Sequence, residues 1–215
     1  RILVAWMLTP DDGSRDGKFT DYLRDRNSWR SFDPTLFDAL KEAMNTGSPR
    51  HVRLIETSGI LARSTYESST VPDGTAEREP WFKGLLKRPA ESELVFLDPD
   101  NGLEIKSRPY GQKNSSKYVY WREVESLWRQ GKSLLIYQHF IREKRPTYVQ
   151  RMLFGLQQAT PGSFVEAFST SNVLFLLALQ PEHQCYHRPI VERVQVRWSG
   201  QIEHAELTQT PCEAT

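Results

Sequence analysis

Residues 94–102 read LVFLDPDNG, a stretch that combines a short apolar run with a turn sequence. Its first four residues are apolar, a run that is typical of a short strand buried on both faces. Pro99 restrains the backbone directly after the strand, and residues 100–102 have the Asp-Asn-Gly composition of a tight turn. The stretch therefore predicts a buried strand that ends in a loop carrying the carboxylate of Asp98 and the amide of Asn101.

Outward from this strand, the chain alternates between strand and helix patterns. The predicted strands are 2–8, 52–55, 94–97 and 134–140, and the predicted helices are 34 to a stop at Gly47, 81–87, 121–130 and 146–158. Two predicted hairpins follow, 164–168 with 173–179 and 191–198 with 202–207. This order predicts a single α/β domain over residues 1–215, with a mostly parallel sheet flanked by helices, an antiparallel hairpin edge and a tail at 208–215.

Polar residues follow four of the predicted strands. They are Thr9, Asp11, Asp12 and Gly13 after the first strand, Glu56 after the second, Asp98, Pro99, Asp100 and Asn101 after the third, and His139 at the end of the fourth. Ligands of open α/β sheets bind beyond the carboxyl ends of the strands, so these residues are candidates for one cleft, with His139 as a general base. The alternative is that each residue is only a turn former.

The charge of the chain is balanced overall but unevenly distributed, with 28 basic and 27 acidic residues. Segment 105–151 holds eleven Lys and Arg against three Glu, with Tyr and Trp interleaved. Cations neutralise phosphates and flat rings stack on unpaired bases, so this segment predicts a face that binds RNA or DNA. The predicted contact residues are Lys106, Arg108, Lys113, Lys117, Tyr118 and Arg142. The alternative is a solvated face whose aromatic rings point into the core.

Residues 95–101 resemble the Asp-Pro-Pro-Tyr loop of adenine-N6 methyltransferases, and the order of elements is similar to that of the compact ribosomal-RNA enzymes of this family. The resemblance implies a Rossmann-like fold and transfer of a methyl group from S-adenosylmethionine to an amino group of a base. It also implies that Asp98 and Asn101 bind the target amino group, that residues 9–13 border the cofactor and that Glu56 holds its ribose. Asn101 stands where the family has an aromatic ring, and an acidic segment replaces the family's Gly-x-Gly loop.

A second interpretation uses the same acidic residues. Glu56, Asp98 and Asp100 resemble the acidic trio of topoisomerase–primase nuclease domains, which implies a Mg²⁺-dependent nuclease or phosphodiesterase. Carboxylates that repel one another bind a hard Mg²⁺ ion, and the ion activates water for attack on a phosphodiester. A third interpretation is a non-catalytic module that binds a nucleotide or a partner.

The cysteines and the apolar runs bear on the cellular compartment. Two cysteines cannot form a disulfide framework, and no apolar run reaches the roughly 18 residues of a membrane span, so we expect a cytoplasmic protein without a membrane partner. His183, Cys185 and His187 lie within five residues, but zinc sites have wider spacing, so we interpret them as an ordinary loop. The chain begins at Arg1, directly before a strand, and we expect further residues to precede it.

Overall fold

The computed structural model describes residues 1–10, 21–24, 29–45 and 51–208. The strands are β1 (Ile2–Ala5), β2 (Ser64–Glu67), β3 (Leu94–Leu97), β4 (Gly102–Leu103), β5 (Tyr118–Val119), β6 (Ser133–His139), β7 (Phe164–Ser169), β8 (Val173–Leu179) and β9 (Glu203–Glu206). The helices are α1 (Pro34–Asn45), α2 (Arg53–Ser58), α3 (Thr75–Lys87), α4 (Trp121–Trp128), α5 (Arg145–Ala159) and α6 (His187–Arg197).

Seven of these strands form one sheet in the order β2-β1-β3-β6-β8-β7-β9, and β4 pairs with β5 in a small separate sheet. Strands β2, β1, β3 and β6 are parallel to one another. Strands β8, β7 and β9 continue the sheet with antiparallel pairings, and β7 and β8 form the hairpin that the sequence predicts. The protein therefore has the predicted Rossmann-like α/β fold with an antiparallel edge.

Alternate residues of the strands pack into two apolar clusters on opposite faces of the sheet. Leu134 and Ile136 of β6 join a large cluster to which α3, α4 and α5 contribute. Leu135, between them, packs in a smaller cluster with residues of α6. Helices therefore cover both faces, because the period of two along a buried strand sends apolar side chains in both directions.

Within the described residues, no helix has the length and apolar character needed to span a membrane.

The second strand does not lie where the sequence predicts it. Residues 53–58 form α2, and Gly59 ends this helix in the left-handed conformation with φ +70°. Strand β2 begins instead at Ser64, in a polar segment without a clear strand pattern. An edge strand needs little apolar sequence, and only Glu67 of β2 is buried. The correction moves Glu56 from a strand end onto a helix.

The second predicted hairpin is also wrong. Residues 191–197 belong to α6, because Ile190, Val191 and Val194 recur at helical spacing and pack against the sheet. Strand β9 lies within the predicted strand 202–207, but its partner is β7.

Candidate active site

A crevice is expected at β1, where the order of strands reverses. The chain leaves β1 for β2 on one side, whereas β3 and β6 are added on the other side. Such a topological switch point separates the loops that follow the two central strands, and ligands of open α/β sheets bind there. The Trp6 N–H donates to the Glu67 carbonyl at 3.1 Å and the Asp98 N–H to the Ala5 carbonyl at 3.0 Å, so pairing extends one residue beyond these strands.

Trp6, Asp98 and Tyr137 lie in one row at the carboxyl ends of three parallel strands, beside this switch point. The registered pairs of β1, β3 and β6 run in step up to Leu97, the residue before Asp98, so the next residue of each strand is also a neighbour. Because side chains alternate along a strand, all three point to the same face of the sheet. All three are partly buried. The row places one carboxylate between two aromatic residues.

The ionisation of Asp98 is unusual. Burial and, to a smaller extent, the negative charge of Asp100 raise the pKa of the Asp98 carboxyl to about 7. No hydrogen bond or ion pair from the described part of the chain reaches this carboxyl group. Asp100 differs, because its Oδ2 lies 2.8 Å from Lys117 Nζ. Near neutral pH Asp98 therefore occurs in both protonation states, a property of groups that accept and return a proton.

The loop after Asp98 is held by β6. Buried Gln138 accepts the Leu103 N–H at 2.7 Å and donates its amide to the His139 carbonyl at 2.9 Å. Gly102 has φ +111°, and a Cβ at this position would lie 2.4 Å from Gln138 Oε1. The loop conformation therefore requires glycine at this position. No motif in the sequence points to the role of Gln138.

His139 lies exposed at the end of β6, on the same face as the row. Its Nε2 is 3.2 Å from the Tyr137 hydroxyl, and the two rings meet edge to face with their centres 5.1 Å apart. The His139 N–H also donates to the Asn101 carbonyl at 3.3 Å. The structure thus brings the predicted residues Asp98, Asn101 and His139 to one end of the sheet.

Glu56 reaches this region from α2. Its Oε1 accepts the Trp6 indole N–H at 3.0 Å. The Trp6 ring stacks on Tyr66, with 6.3 Å between the ring centres and 6° between the planes. Burial and the charge of Glu56 raise the pKa of the Tyr66 hydroxyl. Our prediction that Glu56 follows a strand is wrong, because the residue lies on α2. Its carboxylate nevertheless lies beside Trp6, the first aromatic residue of the row.

The acidic residue that ends the second strand is Glu67, which the sequence analysis missed together with β2. Its carboxylate is buried, forms an ion pair with Arg88 and accepts the Ser69 N–H at 2.9 Å. These contacts occupy both oxygens, so Glu67 anchors the loop after β2.

The three carboxylates predicted to bind Mg²⁺ do not converge. Across the described ranges, one group of three acidic or histidine side chains has ligand atoms within 4.8 Å of one another, and it lies at the antiparallel edge. Glu56 is engaged by Trp6, and Asp100 is engaged by Lys117. The arrangement does not provide the trio of a metal-dependent nuclease.

Segment 105–151 has an exposed side and a buried side. The exposed predicted cations are Lys106, Arg108, Lys113 and Arg142. Lys117 is partly buried and pairs with Asp100. The prediction that Tyr118 stacks on a base is wrong, because its side chain is only 9% exposed and packs inside the protein. Tyr120 and Trp128 are buried too, so much of the aromatic content of this segment belongs to the core.

A buried ion pair holds the inner side of this segment. Arg78 is 0% exposed and Glu123 is 1% exposed, and two hydrogen bonds of 2.9 Å join them. Arg78 also donates to the Ser115 carbonyl at 3.0 Å and the Tyr118 carbonyl at 2.7 Å, and it lies over the Tyr120 ring. These contacts join the loop before β5 to α3 and α4.

The predicted cofactor loop after β1 is described only in part. Thr9 is partly buried, whereas Asp11, Asp12 and Gly13 lie outside the described residues. Met7, in the same loop, has φ +46°, a left-handed conformation that is uncommon without glycine. Such conformations cluster at functional sites. Pro99, at the other side of the crevice, is buried.

Fold and crevice together define a class, a Rossmann-like α/β protein with a candidate active site at its topological switch point. No protein-family model matches the chain, and no curated protein matches it either. The residues at the switch point therefore provide the evidence for a function.

Proposed function

We propose that the protein is an S-adenosylmethionine-dependent methyltransferase that acts on an amino group of a base in nucleic acid. The observation that carries this proposal is the row of Trp6, Asp98 and Tyr137 at the switch-point crevice. A carboxylate accepts hydrogen bonds from an amino group, and aromatic rings stack against a planar base. The row combines both kinds of contact on one face of the sheet.

Asp98 would act on the amino group in two ways. As a carboxylate it accepts a hydrogen bond from the amino N–H and so orients the nitrogen lone pair. A nitrogen that has gained a methyl group must then lose a proton, and a pKa of about 7 allows Asp98 to accept it. Tyr137 and exposed His139, whose side chains are 3.2 Å apart, provide a route for the proton to solvent.

The residues around the crevice suit the methyl donor, which supplies the methyl group from a sulfonium centre. Glu56 offers a carboxylate to ribose hydroxyls, and its hydrogen bond with the Trp6 indole holds that carboxylate beside the row. Opposite charges attract strongly in a partly buried site, so Glu56 and the ionised form of Asp98 favour a cation here. Thr9 borders the same crevice after β1.

The nucleic acid would lie along the exposed side of segment 105–151. Lys106, Arg108 and Lys113 follow the Asp98 loop in the chain, and Arg142 follows β6 directly after His139. Exposed cations that follow the site residues in the chain would neutralise phosphates and position the strand without reading its sequence.

A calorimetric titration with S-adenosylmethionine tests cofactor binding. We expect the wild-type protein to bind without added metal, and Glu56→Gln to bind roughly 10- to 150-fold more weakly, because a charge-assisted hydrogen bond is lost. Glu192→Gln, on the exposed side of α6, is the matched control and should bind like wild type. Absence of cofactor binding in the wild-type protein would overturn the proposal.

Transfer of a labelled methyl group to pooled RNA and DNA tests the reaction. We expect Asp98→Asn to lose about 100-fold or more in rate while remaining folded, since it cannot take up the proton. Cofactor binding without transfer to any nucleic acid would instead support the non-catalytic binding module.

A further inference from the structure

A second cluster of ionisable side chains lies at the antiparallel edge of the sheet, away from the crevice. It consists of Glu166 on β7, His204 and Glu206 on β9, and His187 at the start of α6. Glu166 is only 3% exposed. Its Oε1 contacts His187 Nε2, and its Oε2 contacts His204 Nε2. Three elements that are distant in sequence therefore meet at one buried carboxylate.

The register brings two like charges face to face within this cluster. Glu166 lies directly opposite Glu206 in the β7–β9 pair, an arrangement that destabilises a sheet when both residues are charged. Within the described ranges, neither carboxylate forms an ion pair with Lys or Arg. His204 lies two residues before Glu206 and so on the same face of β9. Among the described residues, histidines rather than Lys or Arg therefore face these two carboxylates.

We propose that this cluster is a zinc site with Glu166, His204 and Glu206 as ligands and His187 as the fourth. The ligand atoms of the first three lie within 4.8 Å of one another, and His187 Nε2 contacts the same Glu166 carboxylate. Zinc binds imidazole nitrogen and carboxylate oxygen in a tetrahedron with bonds of about 2.0–2.2 Å. His187 lies outside that group of three and would have to turn toward the ion, whose two positive charges match the two carboxylates.

Zinc binding would change the partners of the histidines without a net change in covalent bonds. Each Nε2 exchanges its contact with Glu166 for the metal, so the imidazole proton must reside on Nδ1. For His204, Nδ1 lies 3.5 Å from the Gln195 side-chain amide, and after a flip the oxygen of that amide can accept a hydrogen bond from Nδ1–H. Gln195 would thus orient the His204 ring through Nδ1, the nitrogen that does not bind the ion.

The expected role of the ion is structural. Four protein ligands close a zinc site against solvent and substrate. The ligands come from β7, from the edge strand β9 and from α6, so the ion would tie both outer elements to the sheet. This inference does not depend on the proposed methyl transfer.

The sequence offers a rival zinc site in the neighbouring loop. His183, Cys185 and His187 share a short segment, but His183 Nδ1 lies 2.7 Å from the buried Ser133 hydroxyl and Cys185 is exposed. His187 Nε2 turns instead to Glu166. The rival site uses a thiolate and the proposed site does not, and this difference supplies the control.

The test is a calorimetric titration of ZnCl₂ into the metal-free full chain, with thermal unfolding in parallel. We expect one zinc ion per chain. Glu206 is exposed, so Glu206→Gln should fold normally and bind zinc about 10-fold or more weakly. The double variant Cys185→Ser/Cys212→Ser should bind like wild type. Zinc should raise the Tm of the wild type and of this double variant more than that of Glu206→Gln.

Replacement of zinc by Co²⁺ adds a spectroscopic readout. We expect ligand-field bands of a tetrahedral nitrogen and oxygen site without a thiolate charge-transfer band. His204→Gln should weaken binding as well, and if it does not fold, Glu206→Gln still decides the result. The proposal is overturned if the wild type binds no zinc, if Glu206→Gln binds as tightly as wild type, or if the cysteine-free variant loses the ion.

Discussion

Two buried or partly buried carboxylates in the parallel half of the protein have opposite surroundings. Glu123 accepts hydrogen bonds from Arg78 Nε and Nη2 at 2.9 Å and from the Tyr120 N–H at 3.0 Å. Asp98 has no such partner among the described residues, and burial raises its pKa to about 7. The first region stabilises the loop before β5, whereas the second holds an acidic group in an unfavourable environment. Arrangements that lower the stability of a protein are found mainly at functional sites. The contrast therefore indicates a functional role for Asp98.

Removing the cation that pairs with Glu123 should have the largest effect on stability. Arg78→Met leaves the Glu123 carboxylate buried without a cation, and we expect the free energy of unfolding to fall by about 3–5 kcal/mol. Urea denaturation measures this loss. Arg129→Met, which removes an exposed ion pair with Glu125, is the control and should cost less than about 1 kcal/mol. Equal losses in the two variants would contradict the role of the buried pair.

Replacing Asp98, which has no such partner among the described residues, should instead raise the free energy of unfolding. The size of this gain should depend on pH. A carboxyl whose folded pKa is raised destabilises the folded state once the unfolded chain ionises, here as pH rises from about 4 to 7. Asp98→Asn does not titrate, so its stability relative to wild type should increase over that window and stay constant above it. We expect a gain of about 1–3 kcal/mol, measured by urea unfolding at several pH values. A difference that does not change with pH would exclude the raised pKa.

The rigid support of Asp98 can be tested at Gly102. Gly102→Ala combines a left-handed φ with a Cβ 2.4 Å from Gln138, so we expect a loss of about 1–3 kcal/mol. Gly162→Ala is a matched control, because its φ is +80° but nothing lies within 4 Å of the added Cβ. Thermal unfolding should show a larger loss for Gly102→Ala. A similar loss for both variants would mean that the contact with Gln138 is not restrictive.

The smallest effect is expected for a substitution at Lys113, which is exposed in the loop before β5. Lys113→Glu should weaken binding of a labelled oligonucleotide roughly threefold to tenfold and lower the slope of affinity against salt by about one contact. Arg188→Glu, on exposed α6, is the control of equal charge change. Fluorescence anisotropy at several salt concentrations measures both variants. Identical behaviour of the two would show that segment 105–151 is only a solvated face.

Strands buried on both faces could be predicted from their sequence, and polar edge elements could not. Apolar runs revealed β1, β3, β6 and β8, because burial on both faces favours apolar residues at successive positions. Strand β2 carries Ser-Thr-Tyr-Glu at a sheet edge, where little burial is required. Ile190 and Val191 favour a strand by type, but the helical spacing of α6 overrides that preference.

The candidate site could be predicted in part. Asp98, Asn101 and His139 follow strands that were recognised, so their meeting at one end of the sheet follows from parallel pairing. Trp6 and Tyr137 could not be assigned, because their place beside Asp98 depends on the order and register of three strands. The same long-range registration places Glu206 opposite Glu166, and no local pattern shows it.

A carbon-13 NMR titration of the Asp98 carboxyl, assigned by comparison with Asp98→Asn, measures the ionisation on which the proposed role of Asp98 depends. In the protein alone we expect a pKa of about 7. Saturation with S-adenosylmethionine should lower this pKa, because a nearby sulfonium cation stabilises the carboxylate. A pKa close to the ordinary value near 4, unchanged by the cofactor, would contradict the proposed role of Asp98.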